Sequence, residues 1–187
     1  PLMRLIGPDG NQVTFGQNET VARIDRTLTL AGTYRVLVSS NDSGNDATGN
    51  YRIILARTRA PIVVPAGDQG GAMTNGENHL GTIETGDIDI WTFDAQAGDT
   101  ITLTMAELGA LTDFYPLIQL RGPDGASVTF GSGNTVGRID RTLSLTGTYQ
   151  VIVSSDDTGN DATGSYRLIL ARTRAPIVVP AGDQGGA

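Results

Sequence analysis

The sequence predicts an all-β protein built from antiparallel β-sandwich, jelly-roll-like domains in tandem. Three observations predict this fold class. The chain repeats itself at a fixed offset, its apolar residues alternate with period two, and Gly, Pro, Asn and Asp recur between the apolar runs. Alternation with period two is typical of strands, and those four residue types suit tight turns. Roughly seven to nine short strands per repeat indicate a sandwich or jelly roll.

The strands of the complete repeat follow in order from local alternation. The predicted strands are Asp89–Phe93, Thr100–Met105, Leu117–Leu120, Val128–Phe130, Arg141–Leu145, Thr148–Val153 and Ser165–Ala171. In the first of these, Trp91 and Phe93 share one face, and in the last, Tyr166, Leu168 and Leu170 do. The aromatic residues are therefore expected to alternate into the core.

Turn residues separate these strands. Gln96–Asp99 and Gly122–Gly125 contain the Gly, Pro and Asp that favour tight turns. Gly131–Gly137 is also interpreted as a turn, because it lacks the spacing, the lysine and the following helix of a phosphate-binding loop.

The internal repeat defines the domain organisation. Residues 1–72 align with residues 116–187 at an offset of 115, and the two copies differ at 17 of 72 positions. A period of this length suits one whole domain per repeat. The predicted organisation is the C-terminal part of one sandwich repeat at 1–57, a Pro/Gly linker at 58–72, a complete repeat at 73–172 and a second linker at 173–187. Because 1–57 lacks the counterpart of 73–115, we expect a longer polypeptide or another chain to supply its missing strands.

Composition excludes several classes of function. The chain has no Cys, which removes disulfides, thiol catalysis and thiolate metal sites. All 13 basic residues are Arg, so Schiff-base chemistry on lysine is absent. The net charge of −7 argues against nucleic acid as a partner, and no apolar run is long enough to span a membrane. These features suit an extracellular or cell-surface β-protein.

The linker recurs without change and is unusually apolar. Each copy has three consecutive β-branched residues between prolines that favour an extended backbone. Two interpretations are open: this segment packs on, or adds a strand to, a neighbouring domain, or it is a strand of its own domain. The predicted packing residues are Ile62, Val63, Val64, Ile177, Val178 and Val179.

Five motifs occur in an order that resembles the bacterial pre-peptidase C-terminal domain. They are Gly86–Phe93, Ala97–Leu103, Asp113 with Leu117–Leu120 and Pro123–Gly125, Gly147–Val153, and Gly164–Leu170. The resemblance implies a jelly-roll-like sandwich appended to secreted bacterial proteins, some of which bind collagen or calcium. It assigns no binding residue in this chain. A tandem array without a catalytic domain departs from the single appended domain of that family.

Catalytic residues are sparse. His79 is the only histidine, and no Gly-x-Ser-x-Gly turn presents a serine nucleophile, so we expect a structural or surface role for it. Asp87 and Asp89 could form a glycosidase-like carboxylate pair, but roles in a turn or at a strand edge are favoured. We expect no enzymatic activity and no required cofactor.

Calcium is the one candidate ligand. The loop Ser154–Thr163 recurs as Ser39–Thr48, and its oxygen-rich side chains suit a hard cation. The candidate ligands are Asp157, Asn160 and Asp161, with Asp42, Asn45 and Asp46 in the preceding copy. The alternative is an ordinary hairpin loop, since Asp and Asn also stabilise turns.

The predicted function is a non-catalytic structural repeat of a secreted or cell-surface bacterial filament or stalk. Its partners would be neighbouring repeats, through fibre formation or strand complementation. The alternative is a substrate- or surface-binding accessory module, such as an adhesin or an appendage of a secreted hydrolase. An exposed aromatic or apolar patch repeated in every domain would favour that alternative.

Overall fold

The computed structural model describes residues 1–44, 46–57, 62–109 and 113–183. Its elements are β1 Leu2–Ile6, β2 Gln12–Gln17, β3 Arg35–Ser39, β4 Gly70–Ala72, β5 Asn78–Ile83, β6 Asp89–Ala95, β7 Thr100–Leu108, β8 Pro116–Arg121, β9 Ser127–Ser132, β10 Val136–Thr142, β11 Gly147–Ser155 and β12 Gly164–Arg172. Within the described ranges there is no helix that could cross a membrane. The chain divides into two compact units, residues 1–53 with 159–161, and residues 54–158 with 162–187.

The second unit is a sandwich of two sheets. Strands β10-β7-β12-β5 form a four-stranded sheet, and β4-β6-β11-β8-β9 form a five-stranded sheet. All neighbouring strands are antiparallel except β4 and β6, which are parallel. The core is formed by Ile83, Trp91, Phe93, Ala95, Ile101, Leu103, Met105, Phe114, Ile118, Leu120, Ile139, Leu143, Tyr149, Val151, Val153, Tyr166, Leu168 and Leu170. The predicted all-β sandwich class is confirmed.

Period-two alternation determines which side chains enter the core. On β12, Tyr166, Leu168 and Leu170 are buried while the intervening Arg167 is exposed. On β6, Trp91 and Phe93 are buried, as the sequence predicts. Each large apolar side chain removed from water in this way contributes about 1.5–3 kcal/mol to stability.

Some strand bounds differ from prediction. β10 runs over Val136–Thr142 and not Arg141–Leu145, because it pairs with β7 from Val136↔Ala106 to Thr142↔Thr100. The predicted turn Gly131–Gly137 is correspondingly shorter, since its ends belong to β9 and β10. β4 and β5 were not predicted. Their sequences, Gly-Gly-Ala and Asn-His-Leu-Gly-Thr-Ile, lack a run of apolar alternation.

The expectation that the aromatic residues alternate into the core is wrong at Phe130 and at its counterpart Phe15. Phe130 is 68% exposed and its counterpart Phe15 is 55% exposed. On β9, Thr129 is paired with the buried Leu120, so Phe130 lies on the opposite face, beside Gln119. β2 places Phe15 opposite Arg4 in the same way.

The first unit repeats half of the five-stranded sheet. Its strand order β2-β1-β3 corresponds to β9-β8-β11 at the sequence offset of 115. The pair Leu2↔Gln17 corresponds to Leu117↔Ser132, and the register shift after Leu5 corresponds to the shift after Leu120. The two copies therefore share strand order and register as well as sequence.

Residues that form the core of the complete repeat are exposed in the earlier copy. Tyr166 and Leu170 are 0% and 1% exposed, whereas their counterparts Tyr51 and Leu55 are 70% and 77% exposed. β12 is hydrogen-bonded to β5 and β7, and residues 1–57 contain no counterpart of either strand. Accordingly, the described residues around Tyr51 form no strand.

This difference predicts unequal costs for one substitution made at two equivalent positions. Leu143 is 1% exposed and Leu28 is 48% exposed. We expect Leu143→Ala to lower the free energy of unfolding by about 2–5 kcal/mol and Leu28→Ala by less than about 1 kcal/mol. Urea unfolding followed by Trp91 fluorescence and by far-UV circular dichroism measures both. Equal costs would contradict the assigned burial.

Candidate functional site

Three carboxylates converge where the first linker meets the sandwich. Side-chain oxygens of Asp68, Asp87 and Asp89 all lie within 4.8 Å of one another. Asp68 ends a turn in which its N–H donates to Pro65 O at 3.1 Å, and it precedes β4. Asp87 follows the Glu84–Asp87 turn, and Asp89 opens β6. The pairing of β4 with β6 brings these parts of the chain together.

Asp89 is the buried centre of this acidic cluster. It is 0% exposed, and its Oδ2 accepts a hydrogen bond from the Tyr166 hydroxyl at 2.5 Å. That hydroxyl in turn accepts a hydrogen bond from Trp91 Nε1 at 2.9 Å. Within the described part of the chain, the buried Asp89 Oδ1 has no hydrogen-bond donor.

The surroundings of Asp89 oppose its ionisation. Burial raises the pKa of Asp89 to about 7, with the hydrogen bond from Tyr166 opposing that shift and the neighbouring Asp68 and Asp87 adding to it. Burial and the contact with Asp89 also raise the pKa of Tyr166, so the phenol stays protonated and donates. Asp68 faces Asp89 within hydrogen-bonding range, but two ionised carboxylates have no proton to share.

The acidic cluster can therefore be neutralised in two ways. A shared proton would let Asp68 and Asp89 hydrogen-bond to each other. A cation would use the carboxylate oxygens as ligands, and calcium prefers 6–8 oxygens of this hard type. The three carboxylates suit such an ion, and one of their oxygens, the buried Asp89 Oδ1, has no hydrogen-bond donor in the described part of the chain. An ion bound there would attract both the carboxylate of the linker and those of the sandwich.

A glycosidase role for Asp87 and Asp89 does not fit this geometry. Asp89 is fully enclosed, and its Oδ2 is held by Tyr166. A general acid or nucleophile must reach a substrate atom. The pair instead belongs to the contact between linker and sheet.

The two loops in which the sequence predicts calcium binding contain none of the three clustered carboxylates. Asp157 and Asn160 are half-buried and Asp161 is exposed. In the earlier copy, Asp42 Oδ2 accepts the N–H groups of Asp46 at 2.9 Å and Ala47 at 3.3 Å, so this carboxylate already stabilises the main chain of its loop. A hydrogen bond with Ser40 and these main-chain bonds lower the pKa of Asp42 to about 2. Asn45 lies outside the described residues, and calcium binding by either loop stays a prediction.

His79 has structural contacts. It is 8% exposed, its Nε2 lies 3.1 Å from Thr74 N and 3.3 Å from Thr74 O, and its ring lies 4.9 Å from the Trp91 ring. The expected structural role of His79 agrees with these contacts.

The apolar linker residues are only partly covered. Ile62 and Val64 are half-buried, and Val63 is 85% exposed. In the second copy, exposure is 69% for Ile177, 45% for Val178 and 37% for Val179. The strand of the first linker lies further on, at Gly70–Ala72. Packing of the apolar residues on a neighbouring domain stays a prediction.

Asn75, a residue that the sequence does not single out, holds the start of the second linker. Its Nδ2 donates to Arg172 O at 3.2 Å, Ala175 O at 3.3 Å and Pro176 O at 3.1 Å, and its Oδ1 accepts Arg172 N–H at 2.6 Å. These partners are about 100 positions away, so no local motif could reveal them. Asp89 was detectable, because alternation places it on the inward face with Trp91.

The described residues thus define an all-β sandwich domain in which three carboxylates converge where a linker pairs with a sheet. No protein-family model matches the chain. No curated protein matches it.

One similar structure is the pre-peptidase C-terminal domain of a collagenase from Bacillus anthracis. It is 15% identical, covers 55% of this chain and 95% of its own, and has a TM-score of 0.45. A periplasmic inhibitor of g-type lysozyme, PliG from Aeromonas hydrophila, is 16% identical over 56% of this chain and 96% of its own, with a TM-score of 0.46. PliG from Salmonella Typhimurium is 17% identical over 56% and 99%, with a TM-score of 0.42. Similarity of this degree defines neither family nor function.

Calcium should stabilise the second unit through Asp68. At about a hundredfold excess over its Kd, bound calcium raises the melting temperature by roughly 5 °C or more. We expect this rise in the unmodified chain and in Asp157→Asn, and we expect it to vanish in Asp68→Asn. Calorimetry with calcium or chelator measures it. A rise lost in Asp157→Asn but kept in Asp68→Asn would assign the ion to the loop.

The raised pKa of Asp89 predicts a pH dependence in chelator. The folded pKa of about 7 exceeds the ordinary pKa of 3.8 for an aspartate, so the folded state binds more protons between these values. The contribution of Asp89 protonation to the free energy of unfolding is then fully present below about pH 4. It falls by roughly 2–4 kcal/mol as pH rises through 7. Asp89→Asn should flatten this decline in urea-unfolding profiles from pH 4 to 8. A decline of unchanged size in Asp89→Asn would show that other groups cause it.

Proposed function

We propose that the chain is a non-catalytic structural repeat of a secreted or cell-surface bacterial filament or stalk. The observation that carries this proposal is the contact between the first linker and the complete domain. The linker ends as β4, a strand hydrogen-bonded to β6 and not a free tether. A linker with main-chain hydrogen bonds to the domain that follows it limits how that domain can rotate. A flexible Gly/Ser tether does not.

The two copies also support a structural role. They share strand order, register and a local lock in which a tyrosine hydroxyl donates to a carbonyl four residues earlier. Tyr149 bonds Leu145 O at 2.9 Å, and Tyr34 bonds Leu30 O at 2.9 Å. Nearly equivalent domains joined by an unchanged segment are suited to forming a long, regular assembly.

Electron microscopy of the protein isolated from its source tests this role. We expect filaments or thin stalks with an axial repeat that matches one or two domains. Gly70→Ala should make them more flexible, because a Cβ there would lie 2.5 Å from Ile90 O in the β4–β6 contact. The matched control is Gly49→Ala, where a Cβ would meet nothing within 4 Å. Discrete globular particles without a stalk would rule out the filament role.

A second candidate function is favoured by the repeated exposed phenylalanine. Phe15 and Phe130 occupy equivalent positions on equivalent strands, and both are more than half exposed. A recurrent exposed aromatic residue is a common contact in binding surfaces. We propose a substrate- or surface-binding accessory module as the alternative, in which each repeat offers one aromatic contact.

The resemblance to the pre-peptidase C-terminal domain, some members of which bind collagen, makes fibrillar collagen the first probe for this alternative. If the chain binds collagen through these residues, Phe15→Ser with Phe130→Ser should weaken co-sedimentation at least about tenfold, because each buried aromatic contact contributes one to several kcal/mol. Leu80→Ser, at a residue 60% exposed on β5, is the control. Binding unchanged by the double substitution would exclude this surface.

A further inference from the structure

The second linker is held by the domain that it leaves. Thr173 N–H donates to Thr100 O at 3.0 Å, and Val178 N–H donates to Asn75 O at 2.9 Å. Between these points, the Asn75 side chain binds the carbonyls of Arg172, Ala175 and Pro176. Asn75 is 8% exposed, so these bonds are shielded from water.

Gly76 fits the same contact. Its φ is +84°, and a Cβ there would lie 2.4 Å from Val178 O and 2.8 Å from Ile177 Cγ2. A side chain at this position would be strained and would displace the linker. Asn75 and Gly76 together form a receptor for residues 172–178, which we name the outgoing clamp.

The first linker is held at its other end, by the domain that follows it. Gly70–Ala72 pair with Ile90–Thr92, and Met73 N–H donates to Thr92 O at 2.7 Å. Gln69 Oε1 accepts Thr82 N–H at 2.9 Å. We name these contacts of residues 68–73 the incoming clamp.

The segment between the two clamps forms the same turn in both copies. Asp68 N–H donates to Pro65 O at 3.1 Å, and Asp183 N–H donates to Pro180 O at 3.1 Å. Gly67 and Gly182 have φ values of 88° and 87°. A left-handed glycine at the third position is typical of a type II turn. The turn thus forms in both linkers, including the second, whose residues 184–187 are not described.

We infer that the 15-residue segment is a two-ended joint between consecutive copies of this repeat. Its first half binds the outgoing clamp of the domain it leaves, and its second half binds the incoming clamp of the domain it enters. The complete repeat shows both clamps on one domain, one for each linker. Because the two linkers are identical in sequence, each contains both halves.

Bending between repeats is then confined to the Pro-Ala-Gly-Asp turn. Such a joint would serve a stalk and a binding array alike.

Hydrogen exchange by mass spectrometry on the full chain tests the joint. Asn75→Asp keeps the shape of the side chain but replaces the donating Nδ2 with an acceptor, so it repels three carbonyls. We expect exchange in residues 172–178 to become about tenfold faster or more, with residues 70–73 unchanged. Gly70→Ala should have the opposite effect, with faster exchange in residues 70–73 and unchanged exchange in residues 172–178. Asn134→Asp and Gly49→Ala are the matched controls, because residue 134 is exposed and a Cβ at residue 49 meets nothing.

A third variant separates clamp loss from misfolding. Val178→Pro removes the N–H that Asn75 O accepts, at a residue that is 45% exposed and outside the core. It should accelerate exchange in residues 175–179 while Trp91 fluorescence stays native. Unchanged exchange at 172–178 in both Asn75→Asp and Val178→Pro would overturn the outgoing clamp. Equal acceleration at both ends in every variant would show a single cooperative unit and overturn the two-ended joint.

Discussion

A carboxylate buried between two sheets is the constraint on which the rest of the domain depends. Asp89 of the five-stranded sheet accepts a hydrogen bond from Tyr166 of the four-stranded sheet, and Trp91 supports that phenol. Burial of such a group is costly unless its charge is compensated. Since Asp68 of the linker faces the same carboxylate, compensation of the core charge also removes repulsion between the linker and the sheet.

The sequence predicted those parts of the fold that depend on local alternation. The inward faces of β6 and β12 follow from spacing alone, because successive side chains of a strand point to opposite faces. The third carboxylate of the acidic cluster, Asp68, and Asn75 were missed for a different reason. Asp68 meets Asp89 through β4, a Gly-Gly-Ala strand without an apolar pattern, and Asn75 binds residues about 100 positions away. Contacts of this kind are set by topology, which one sequence does not display.

The two copies distinguish structure that depends on local contacts from structure that depends on long-range contacts. The tyrosine lock spans four residues and is present in both copies, at Tyr34 and Tyr149. The strand around Tyr166 needs β5 and β7, and its counterpart around Tyr51 lies exposed without them. Strand formation here follows the availability of partners more than the sequence of the strand itself.

The position of β12 has a mechanical consequence. β12 is paired on both sides, with β5 and β7, and runs directly into the second linker. Its hydrogen bonds lie across the strand, so tension along the chain loads many of them together in shear. β4 contributes only three residues at a sheet edge and would detach at lower force. A stretched array would therefore first lengthen by releasing the short β4 segments, while each sandwich stays folded and the strands can pair again when the load falls.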